Sequence, residues 1–163
     1  MDVKELIDQY AAYDRWANTL FVERLMRESD EVLDRPVRSS FPSLRATLLH
    51  MRDAECAWCL RLDRLPPRWP ADPSTAIGSV LPFVQAMHDR VRALTPDELQ
   101  EEVDYHSLKG LPYLQQRLQM LMHAFNHSTY HRGQLVTMMR DLGLGEVPST
   151  DLVTFQRILA GTA

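Results

Sequence analysis

The sequence predicts an all-α protein, a four-helix bundle with a short additional C-terminal helix. Three observations predict it. Apolar residues recur at i, i+3, i+4 and i+7 through four long segments. Prolines, glycines and short polar runs separate those segments. No internal repeat or low-complexity tract breaks the pattern, and 163 residues fit one domain with a substantial core.

The first helix is expected from about Val3 to Arg27, with Leu6, Tyr10, Tyr13, Ala17, Leu20 and Leu25 at helical spacing. Its residues Tyr10, Tyr13, Trp16 and Phe21 spread aromatic surface over much of the circumference. That surplus predicts a homodimer built by helix packing, or else cover by the last short helix. Glu28-Ser29-Asp30 ends the helix, and Arg35-Pro36-Val37 reads as loop. The second helix starts at Ser43, a good N-cap, and continues to about Arg64. Pro66, Pro67, Pro70 and Pro73 then forbid helix and mark a long connection. The third runs from about Ser79 to Leu94, with Pro82 tolerated in its first turn, and Thr95-Pro96 closes it. Between Gln100 and Pro112, weak alternation over Val103–Leu108 and the turn signal Lys109-Gly110 allow a short extended excursion. The fourth and longest helix is expected from about Tyr113 to Leu142, stopped by Gly143 and Gly145. Ser149-Thr150-Asp151 caps a last short helix reaching Leu159.

Composition excludes several function classes. The net charge of −4 is mild and no Lys/Arg cluster marks a nucleic-acid footprint. No apolar run is long enough to span a membrane, and the charged start Met1-Asp2-Val3-Lys4-Glu5 is followed by no secretory h-region, so a cytoplasmic protein is expected. The two cysteines form Cys56-Ala57-Trp58-Cys59, but mid-helix, without the βαβ context of a thioredoxin pair or the second pair of a zinc knuckle. They read as packed or surface thiols.

Chemistry concentrates in the fourth helix. His123, His127 and His131 stand four residues apart, and residues at that spacing stack on one helical face. At about 100° per residue, His127 and His131 fall about 20° either side of the direction shared by Met120 and Met138, whereas His123 lies about 60° away. An inward imidazole requires a partner, because an unpaired buried polar group costs about 1–3 kcal/mol. Two inward imidazoles at ligand spacing are either hydrogen-bonded core residues or metal ligands. The second helix offers a third: His50 lies in the core stripe Thr47, His50, Met51, Ala54, Trp58, where small Ala54 permits close approach. His50, His127 and His131 would form an open three-histidine site of the catalytic type, whereas addition of His123 would close it into a structural clamp. Zinc and nickel both suit imidazole. Glu55 points away from His50, and His88 and His106 read as surface histidines. Gln134 follows His131 on the same side, to orient substrate or to bond within the bundle; Arg132 and Gly133 read as a salt bridge and a close helix contact.

Tyr13-Asp14-Arg15-Trp16-Ala17-Asn18, Thr47-Leu48-Leu49-His50 with Ala54-Glu55 and Trp58, and Phe125-Asn126-His127-Ser128-Thr129-Tyr130-His131-Arg132-Gly133-Gln134 carry a family resemblance over nearly the whole chain. They resemble the DinB-like damage-inducible family of the DinB/YfiT superfamily. The resemblance implies a four-helix bundle, usually dimeric, holding a divalent metal on three histidines that match His50, His127 and His131. Some superfamily members are transferases or isomerases that use small thiols. For the DinB-like branch itself the resemblance assigns no substrate or reaction. A metal-dependent thiol S-transferase acting on an unknown electrophile, such as one generated under stress, is expected, with a metal-dependent hydrolase or a non-catalytic metal-binding protein as the alternatives. No motif here identifies a particular thiol.

Overall fold

Capping chemistry sets the start of most helices in the computed structural model, which describes residues 1–162. Helix α1 (Val3–Leu25) opens with a capping box, in which Asp2 accepts from the Glu5 N–H at 2.8 Å and Glu5 accepts from the Asp2 N–H at 2.9 Å. A short α2 (Asp30–Asp34), capped by Ser29 and burying Leu33, occupies a stretch expected to be loop. Ser43 caps α3 (Leu44–Leu62) through the Ala46 N–H, as its sequence position predicts. A 3₁₀ turn (Ile77–Val80) leads into α4 (Leu81–Ala93), with Pro82 in the first turn. Thr95 then opens a further helix, α5 (Pro96–Gln100), through a second capping box with Glu98.

The chain departs most from expectation between α5 and the longest helix. The anticipated extended excursion is real but longer, an antiparallel hairpin of β1 (Glu102–His106) and β2 (Pro112–Gln116), with Tyr105 opposite Tyr113. Gly110 takes φ +78° in the turn, a region open to glycine. Residues 113–116, expected to be helical, are therefore strand, because cross-strand pairing and the Tyr105–Tyr113 ring stack outweigh their local helix preference. Helix α6 (Arg117–Asp141) starts where the Arg117 N–H donates to the Glu101 carbonyl, and it ends at Gly143 with φ +71°. The last helix, α7 (Leu152–Leu159), follows Asp151. The protein is thus mostly helical with a two-stranded sheet, not all-α.

Helix α1 packs on α4 and α6, and α3 packs on the same two helices, which closes the four long helices into a ring. Two apolar clusters fill it. One includes Phe21, Leu25, Leu48, Met51, Leu135 and Met138; the other includes Ile7, Ala11, Leu62, Leu121 and Phe125. Between them in chain order on α1, α3 and α6 lies a polar layer of Asp14, Asn18, Glu55, Ser128 and Arg132, all buried. Arg132 donates to Asp14 at 2.6 Å and to the Asn18 side-chain oxygen at 2.8 Å, while Asn18 donates to Asp14 at 2.9 Å. The plain salt bridge expected of Arg132 is therefore an interior one.

Helix α7 packs on part of the aromatic surface of α1. Phe155 packs 5.9 Å from the Tyr13 ring and 5.3 Å from Trp16, and the Tyr13 hydroxyl donates to the Thr150 carbonyl. Tyr13 and Phe21 are buried, whereas Tyr10 and Trp16 stay partly exposed beside α7. Two smaller expectations also change. His88 is buried rather than on the surface, held by its Nδ1 to Asp89 at 3.0 Å. Gly133 makes no close helix contact, since a Cβ there would meet nothing within 4 Å.

The buried ion pair yields a stability prediction. Replacing Asp14 by alanine leaves the Arg132 guanidinium without its acid inside the bundle and is expected to destabilise the protein by about 3–5 kcal/mol. Urea unfolding of the two proteins, compared at equal slope, measures it.

Candidate metal centre

Helices α3 and α6 bring three imidazoles to one point. His50 Nε2 lies 3.0 Å from His127 Nε2, which lies 3.1 Å from His131 Nε2, and ligand atoms of all three fall within 4.8 Å of one another. The sequence placed these residues on facing stripes, and the fold brings them together. Two ligands of one metal at about 2.05 Å are separated by about 2.9 Å at a right angle and about 3.3 Å at the tetrahedral angle. The two short separations lie between those values. Three nitrogens of this type fit a divalent transition metal, with imidazole as the whole donor set. Among the described residues these three form the one group of this kind, and Glu55 and His123 stand outside it.

The protonation states favour ligation. Burial, reinforced by the neighbouring rings, lowers His127 from 6.5 to about 3 and His50 to about 4. Burial also lowers His131 and His123. At neutral pH the imidazoles are uncharged and carry the lone pairs that a metal takes up. His131 is further oriented: its Nδ1 lies 2.8 Å from Gln134 Oε1, an acceptor, so Nδ1 carries the proton and Nε2 faces its partners unprotonated. The Gln134 amide donates in turn to the Ser40 hydroxyl at 2.6 Å. Gln134, expected either to orient a substrate or to bond within the bundle, bonds within the protein, and one of its partners is a candidate ligand.

The mouth of the site is aromatic. Phe41 stacks on His50 with centroids 4.1 Å apart and lies 5.6 Å from His131. Trp69 lies 5.6 Å from His50, and exposed Tyr130 lies 5.1 Å from His131. His123 sits 6.1 Å from His127 and packs on Trp58 at 4.7 Å, a wall residue beside the triad rather than a member of it. Helical periodicity found the histidines, but Phe41 and Trp69 lie in irregular segments whose course no periodicity reveals. Glu55 is buried in the polar layer, where burial and the nearby Asp14 push its carboxyl well above the usual value. The two thiols carry no chemistry at this site. They are free, and burial pushes Cys59 up to about 12 and raises Cys56.

A ring of four long helices with a three-histidine cluster between two of them defines a class of metal-site helical proteins. The chain belongs to the DinB family, whose model matches residues 1–159. It is 22% identical over 158 residues to protein DinB of Bacillus subtilis, covering 84% of this chain and 86% of that one. Two solved structures share the fold. A DinB-like protein from Bacillus cereus superposes with a TM-score of 0.60 at 19% identity, covering 82% of this chain and 90% of its own. YfiT from Bacillus subtilis gives 0.64 at 16% identity, covering 89% and 92%, and is described as a probable metal-dependent hydrolase with an unusual four-helix bundle topology.

The depressed histidines predict a pH dependence of the metal-free protein. In the unfolded chain each takes up a proton near pH 6.5, whereas folded His50 and His127 stay neutral down to about 4 and about 3. Their contribution to stability is therefore complete above pH 6.5 and is lost as pH falls from 6.5 toward 4. Urea unfolding between pH 7 and pH 4.5 is expected to show a smaller loss for His127→Ala than for the parent protein.

Proposed function

We propose that this chain is a divalent-metal-dependent hydrolase whose metal ligands are His50, His127 and His131. The observation that carries the reading is the convergence of three uncharged imidazole nitrogens, two of the separations being 3.0 and 3.1 Å, at an aromatic mouth. The fold shared with YfiT, described as a probable metal-dependent hydrolase, supports it. A divalent metal bound there supplies a Lewis acid and lowers the pKa of water toward about 7. Three protein ligands leave positions free for water and for a carbonyl or phosphoryl oxygen. Gln134 keeps the His131 ring in its ligating tautomer, and the packing of Phe41 on His50 fixes a second ring. Phe41, Trp69 and Tyr130 offer flat apolar surface to a substrate, which points to an ester or amide with an apolar or aromatic part.

The test is a screen of small esters and amides with zinc- and nickel-loaded protein. Turnover is expected with metal, and His127→Ala is expected to lower it at least a hundredfold while circular dichroism stays helical. Turnover that needs an added small thiol as co-substrate would assign S-transfer instead. Equal activity in metal-free protein would end the metal-dependent reading.

A further inference from the structure

Four arginines are buried among the described residues: Arg52, Arg61, Arg117 and Arg132. Three have a carboxylate within salt-bridge distance, namely Asp53, Glu101 and Asp14. Arg61, only 7% exposed, has none within 4 Å among the described residues. Two of the acids near it are engaged elsewhere, Asp104 with Arg64 at 3.2 Å and Asp63 with Arg90. The protonation energetics agree: burial lowers the pKa of Arg61, whereas Arg45, Arg90 and Arg132, each beside an aspartate, are raised. A buried charge without a counter-ion is costly and rare.

The Arg61 side chain is nevertheless held in place. Its Nε donates to the His106 carbonyl at 3.1 Å, and its guanidinium carbon lies 4.6 Å from the Trp58 ring centroid and 5.5 Å from Tyr105. Those contacts use one donor of five and leave both terminal nitrogens without a hydrogen bond. Pinning the hairpin to α3 uses the Nε bond, and the two terminal nitrogens, which have no partner within the protein and are not sealed from solvent, remain a fork suited to a carboxylate or phosphate.

Position links this fork to the histidines. Arg61 stands eleven residues beyond His50 on α3, which returns it to within about 20° of the same direction, about 16 Å along the helix axis. Between the two, half-buried Trp58 packs on exposed His123 at 4.7 Å, and His123 lies 6.1 Å from His127. A continuous aromatic strip therefore runs between α3 and α6 from the triad to Arg61.

We propose that Arg61 is the receptor for an anionic group of the substrate, so that the hydrolase acts on elongated molecules. Their carboxylate or phosphate end pairs with Arg61, their apolar middle lies on Trp58 and His123, and their scissile bond reaches the histidine cluster. This rests on the hydrolase reading for the far end of the substrate but not for the anion site itself. The two are therefore tested apart.

The experiment is isothermal titration of metal-free and zinc-loaded protein with 4-phenylbutyrate, 2-phenylethyl phosphate and the uncharged 4-phenylbutyramide. Binding to the metal-free protein is read without turnover, so it does not depend on the hydrolase reading. In metal-free protein at least one anion is expected to bind tenfold or more tighter than the amide, and the better of the two tells carboxylate from phosphate. Arg61→Gln is expected to bring that anion down to the level of the amide, and Arg61→Lys to keep part of the preference. Equal binding of anions and amide by the unsubstituted protein overturns the proposal. So does a preference that survives Arg61→Gln, or one seen with zinc alone, which would place the anion on the metal. Hydrolysis without anion preference would leave the metal-site reading intact and remove this one.

Discussion

The buried contact between Arg132 and Asp14 holds the register on which the candidate site depends. On α6, Ser128 and Arg132 point into the polar layer, and each immediately follows a histidine of the cluster, His127 and His131. Fixing Arg132 on Asp14 and Asn18 of α1 therefore fixes the rotation of α6, and that rotation aims the two imidazoles at α3. A rotation of about 100°, one residue of the helix, would swap the ligands for the ion pair. Apolar packing alone tolerates sliding between similar side chains, whereas charge-assisted hydrogen bonds at 2.6–2.9 Å do not. Such a layer adds little net stability compared with apolar residues of the same shape, and its value here lies in register.

The imidazoles face the opposite requirement. Ligands need to be uncharged and close, yet three close imidazoles repel once protonated. Burial resolves this by depressing their pKa values, at the expense of stability in acid. Phe41 stacks on the His50 ring and Trp69 lies beside it, so aromatic surface borders the same imidazoles. Farther along the same face of α3, Arg61 keeps its charge on aromatic faces without an acid, which leaves its fork free.

Helix periodicity made the four long helices legible, because each carries an apolar stripe over several turns, and Ser43 marks the start of α3. The same periodicity put His50, His127 and His131 on facing stripes. It misjudged residues 113–116, whose strand state comes from a partner across the hairpin rather than from their own preference. It read His88 by its charged neighbours Asp89 and Arg90, although His88 itself lies on the buried face of α4. Phe41, Trp69 and the Gln134–Ser40 bond come from segments brought together by tertiary folding, which a local pattern does not encode. The idle fork of Arg61 is of the same kind, since only the folded structure shows which acids are already engaged.

The central claim is that three particular histidines form one metal site, and titration of the metal-free protein with cobalt(II) tests it most directly. Visible absorption bands reporting a low-coordinate ion are expected to saturate at one cobalt per chain. They should disappear in His50→Ala, His127→Ala and His131→Ala, and persist in His123→Ala. Saturation at one equivalent with bands lost equally in His123→Ala, or retained in His50→Ala, would contradict the account.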